Sequence, residues 1–125
     1  MPETTLSLFQ PEVLDESCGG MIEIVVEVLE SFLKEGPADI DRLVAALAGG
    51  DLPSTRQAAH SLKGSCLTVG ADSLAAACQR IESHADNEPV PVAAVTRDTL
   101  TREWDLLRVA IESHCQTLGH ANAAG

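Results

Sequence analysis

The stretch MIEIVVEVLESFLKEGPADIDRLVAAL, Met21 to Leu47, decides the fold. Its apolar residues Ile22, Val25, Leu29, Phe32, Ile40, Leu43 and Leu47 fall on one stripe of a helix. Gly36-Pro37 interrupts the pattern. Proline has no N–H to donate and crowds the preceding turn, so a break or a kink is expected there. Phase decides between the two. Leu29 to Ile40 is eleven residues, or about 1,100°, within about 20° of three full turns. A stripe that holds its phase across the proline predicts one kinked helix.

Working outward, residues 1–11 read as a flexible lead-in, and Glu12 to Ser17 as a short helix carrying Val13 and Leu14 and ended by Gly19-Gly20. On the other side Gly49-Gly50 stops the long helix. Asp51 is a suitable N-cap for the next one, and Pro53 is tolerated in its first turn. That helix spans about 53–68 and ends at Gly70, and another at about 71–86 shows Leu74, Cys78 and Ile81 on one face. Asp86 to Pro91 reads as a loop. A last helix at about 92–118 would bury Val95, Leu100, Trp104, Leu107, Ile111 and Leu118, leaving 119–125 as a disordered tail. Long amphipathic helices on short connections predict an all-α protein: an antiparallel four-helix bundle over 12–118 with a short additional N-terminal helix.

Composition agrees. The chain has 125 residues, enough for one domain with a real core; 45% are hydrophobic but only 2% aromatic, so aliphatic helix formers carry the interior. A net charge of −11 argues against nucleic acid or an anionic membrane surface as partner. The four cysteines have no CxxC pairing, and Cys66, Cys78 and Cys115 sit at apolar helical positions, where cysteine packs as a small hydrophobe. No stretch is apolar enough to span a bilayer, and the N-terminus lacks a signal core. A cytoplasmic monomer is expected.

One pentapeptide departs from what stability favours: His60-Ser61-Leu62-Lys63-Gly64. A glycine inside a helix costs about 0.5–1 kcal/mol relative to alanine. At about 100° per residue, Arg56 and Gly64 lie about 40° to either side of His60, Lys63 about 60° away and Leu67 about 20° away. Leu62 points nearly opposite, into the bundle. His60 therefore stands on an outer face, and Gly64 removes the Cβ that would lean toward it. The imidazole is a neutral nucleophile, the lysine a mobile cation for a new anionic charge, and the glycine clears room for a partner's active site. Leu67 adds an exposed apolar contact to the same face. Metal binding fits poorly, since none of the histidines has a glutamate three residues before it.

His60-Ser61-Leu62-Lys63-Gly64-Ser65, followed by Val69-Gly70-Ala71, Leu74, Cys78 and Ile81-Glu82, resembles the histidine-containing phosphotransfer (HPt) domain of bacterial two-component phosphorelays. The resemblance covers about 20–118, its specific part running from Ala58 to Glu82. It implies that His60 accepts a phosphoryl group from the aspartyl phosphate of a response-regulator receiver domain and passes it to another receiver. It further implies that Lys63 lies near the phosphate, that Gly64 permits docking, and that Glu82 accepts a hydrogen bond from the imidazole Nδ1–H. The partners implied are receiver domains and a hybrid sensor kinase. The chain would be a phosphocarrier and no enzyme, with no cofactor of its own and Mg²⁺ held by the receiver. Cys66 stands where the family often has a second serine, a difference expected to concern packing. Two alternatives remain open: the histidine-bearing domain of a chemotaxis-type kinase, phosphorylated by a separate ATP-binding domain, and an unphosphorylated receiver-binding adaptor. Docking is expected to use Arg56 and Leu67, with Val13, Leu14 and Met21.

Overall fold

Proline stands in the first turn of two helices, and the left-handed glycines Gly50 and Gly70 close two. In the computed structural model, residues 7–87 and 93–119 are described, with side chains over 7–83 and 97–119. Five helices follow in order: α1 (Pro11–Ser17), α2 (Ile22–Gly49), α3 (Leu52–Val69), α4 (Asp72–Asn87) and α5 (Ala93–Thr117). Pro11 sits in the first turn of α1, where its missing N–H is no loss. Asp51 caps α3, accepting from the Ser54 backbone N–H at 3.1 Å and from Ser54 Oγ at 2.8 Å. These bonds hold its carboxyl below the usual aspartate value.

Each long helix packs on two others, α2 on α3 and α5, and α4 on α3 and α5, which closes a ring with α1 laid across α3. The two-residue links between α2 and α3 and between α3 and α4 force contacting neighbours to reverse direction. The expected all-α four-helix bundle with a short extra helix is therefore the observed architecture. Its core holds Leu29, Leu43, Leu62, Leu74, Leu100, Leu107 and Ile111, all essentially inaccessible. No helix among the described residues is long and apolar enough to cross a membrane.

The long helix runs unbroken through Pro37. The reason for its glycine neighbour is tertiary: a Cβ at Gly36 would overlap the six-membered ring of Trp104. That indole also stacks at a tilt on Phe32, ring centroids 5.3 Å apart. Bringing α5 this close to α2 requires glycine at the contact.

Several expectations need correction. Ile22, read as a core residue, is 50% exposed. It lies within about 40° of buried Val26 around the helix, so phase is not the cause. In the first turn it is bordered across a groove by Leu118 and Gly119, which do not cover it. The lead-in is not loose where it is described. Gln10 N–H donates to Gly70 O at 2.8 Å, and Ser73 N–H donates to Ser7 O at 2.9 Å. Phe9 meets His114 edge to face. Gly70 allows this seat, because it takes φ +84° and any Cβ there would strike Gln10 O. Helix α4 also runs on to Asn87, so Asp86 and Asn87 belong to it and not to the loop. The Val95 side chain, residues 1–6 and the tail beyond Gly119 lie outside what is described.

Candidate functional site

Burial sorts α3 into two faces. Thr55, Ala59, Leu62, Cys66 and Val69 face inward, which turns His60, Gly64 and Leu67 outward. The His60 side chain is 68% exposed. A Cβ built at Gly64 meets nothing within 4 Å, so no contact within the molecule demands a glycine there.

Helix α4 supplies the other half. Glu82 Oε2 lies 3.0 Å from His60 Nδ1, and Glu82 Oε1 lies 2.9 Å from Lys63 Nζ. One carboxylate thus bridges imidazole and ammonium from the neighbouring helix. Oε1 is shielded from solvent and takes no aligned hydrogen bond; the ammonium faces it as an ion pair. Lys63, and His60 after it, hold the Glu82 carboxyl below its ordinary value, while partial burial works the other way. Lys63 Nζ also donates to Gln79 Oε1 at 2.7 Å, and Gln79 Nε2 donates to Ser83 Oγ at 3.1 Å.

Of the residues expected at the site, His60, Lys63 and Glu82 come together directly, and Gly64 lies beside them on α3. Gln79 and Ser83 were missed. Gln79 lies one turn before Glu82 on the same face of α4, and Ser83 one turn after Gln79, but neither carries a charge that would single it out. Among the expected docking residues, Leu67 (52% exposed) and Met21 (56%) are open to solvent, and Arg56 is exposed on α3. Val13 is half-buried. Leu14 is corrected: at 3% exposure it is a core residue, the buried anchor of α1, and has no surface to offer a partner.

The chemistry follows from the donor inventory. A carboxylate can only accept, so in the neutral ring Nδ1 must carry the proton given to Glu82. The lone pair then resides on Nε2, on a largely exposed ring. Glu82 lies within hydrogen-bond distance of Nδ1, and the Lys63 ammonium pairs with the other oxygen of the same carboxylate.

Comparison with known proteins identifies the family. The family model described as "Hpt domain" matches residues 27–118. The crystal structure of histidine-containing phosphotransfer protein B (HptB) from Pseudomonas aeruginosa PAO1 is similar at TM-score 0.80 and 26% identity, over 90% of this chain and 98% of that one. The HPT domain of a sensor hybrid histidine kinase from Shewanella shares the fold at TM-score 0.73 and 19% identity, over 88% of this chain and 95% of that one. No curated protein matches. With the family match spanning most of the chain and the His-Lys-Gly face in place, the protein belongs to the Hpt domain family, the histidine phosphotransfer carriers of phosphorelays.

Proposed function

We propose that His60 accepts a phosphoryl group from the aspartyl phosphate of one receiver domain and delivers it to another. The observation that carries this reading is the exposed imidazole with Nδ1 committed to Glu82. In the transfer, the Nε2 lone pair attacks phosphorus and the P–O bond to the aspartate breaks. The electron pair of that bond leaves with the aspartate carboxylate, and Nδ1 keeps its proton against Glu82. Onward transfer is the reverse, with the second receiver's carboxylate as nucleophile. Lys63 offsets charge at the phosphoryl oxygens, and open Gly64 lets the receiver's active site approach. The receiver brings the Mg²⁺. Leu67 and Met21, exposed and apolar, supply docking contacts, and Arg56 lies on the same helix as His60.

Incubation with a phosphorylated receiver domain should place acid-labile, base-stable label on the protein, and His60→Gln should abolish it. Label at the wild-type level in that variant overturns the assignment.

A further inference from the structure

Before any phosphoryl group arrives, the Lys63 ammonium is already engaged. Two oxygens from α4 hold it: Gln79 Oε1 at 2.7 Å and Glu82 Oε1 at 2.9 Å. Its side chain is only 19% exposed, against 68% for His60 one turn earlier. The cation expected to meet phosphate therefore rests against α4, on the carboxylate that also binds Nδ1.

We propose that Gln79 is a positioning residue that catches Lys63 in the unphosphorylated protein, so that phosphorylation of His60 must draw the lysine away from it. This rests on His60 being the acceptor. The physical case is a competition for one ammonium. A lysine has three donors on a flexible four-carbon stem and can exchange partners without moving the backbone. A neutral amide oxygen holds it more weakly than a phosphoryl group carrying close to two negative charges would. Gln79 is itself steadied, since its amide donates to Ser83 Oγ and so presents Oε1 toward the lysine. An open groove of about 340 Å³ borders Lys63 and Gln79, with Leu67, Asp72, Ala75 and Ala76 as its other walls, so the pair is reached by solvent. Gln79 thus stabilises the unphosphorylated state selectively, and its removal should shift the equilibrium toward phosphohistidine.

The test is the partition of phosphoryl label at equilibrium between this protein and a receiver domain that exchanges with it, for wild type and Gln79→Leu. The exposed position should tolerate leucine. In the variant the ratio of phosphorylated to free carrier should rise by about three- to tenfold, the range that loss of one ordinary exposed hydrogen bond allows. The Lys63 Nζ–H signal in ¹⁵N-edited NMR, sharp in unphosphorylated wild type, should broaden in Gln79→Leu through faster exchange with water. An unchanged ratio overturns the proposal. So does a shifted ratio with the Nζ–H signal intact, because Gln79 would then act by another route than the lysine. Failure of the acceptor assignment looks different: wild type itself would take no label on His60.

Discussion

Glu82 answers to two partners, the His60 imidazole and the Lys63 ammonium. Replacing Glu82 with glutamine keeps an acceptor for Nδ1–H but removes the charged partner of Lys63. Its folded-state carboxyl titrates below the ordinary value near 4.5, chiefly because of the lysine. A depressed carboxyl means that the folded protein binds fewer protons than the unfolded chain as the pH falls into that range. The stabilisation is therefore present above the ordinary value and is lost as pH drops through the folded one. For a partly exposed pair it is worth at most about 1 kcal/mol. Urea midpoints of wild type and Glu82→Gln, compared from pH 7 downward, should differ by a constant amount above the ordinary carboxylate range and draw together as the pH falls below it. A gap that does not narrow with falling pH would show that shape, and not charge, makes the difference. Lys63 was readable as a cation one turn after the histidine, and Glu82 only through the family resemblance. Gln79, neutral and on a different helix, became visible only when α3 and α4 were packed together.

Two helical glycines carry opposite instructions at the scale of the element. Gly36 in α2 is covered by Trp104, whereas Gly64 in α3 faces open space. Alanine favours a helix interior over glycine by about 0.5–1 kcal/mol. At Gly64 nothing opposes that gain, so Gly64→Ala should raise stability by about that much, and any loss of phosphotransfer in it would be a docking effect. At Gly36 the added methyl must displace the indole, an overpacking cost of about 1–3 kcal/mol that exceeds the propensity gain. Gly36→Ala should therefore unfold at lower urea than wild type. Equal shifts in the two variants would refute this account of both sites. The unbroken α2 was legible because its apolar stripe stays in phase across Pro37. The reason for Gly36 was not, since its partner lies on another helix sixty-eight residues away. The seating of Ser7 to Gln10 was equally hidden: backbone hydrogen bonds from Ser73 to Ser7 and from Gln10 to Gly70 leave no mark on side-chain pattern.

Across the whole molecule, the site is built on the most closely packed pair of helices, α3 and α4. Their shared interior includes Cys66 and Cys78, both wholly buried, and Cys78 lies one turn before Glu82. Burial pushes the Cys78 thiol up to about 12. Cys66 is raised as well, by burial first and by the neighbouring Cys78 second. Only thiolates react readily with disulfide reagents, so these two thiols are doubly protected, by exclusion and by protonation. Cys18, half-buried at the end of α1, is the accessible one. If the pair opens only with the bundle as a whole, Cys66 and Cys78 should report global stability. In buffer at neutral pH, a thiol reagent such as DTNB should modify Cys18 quickly and leave Cys66 and Cys78 intact. Their labelling should then rise with urea over the same transition that Trp104 fluorescence records for unfolding. Labelling of Cys78 in buffer at the rate of Cys18 would mean that α3 and α4 part locally, and that Glu82 and Gln79 do not hold His60 and Lys63 on a rigid frame.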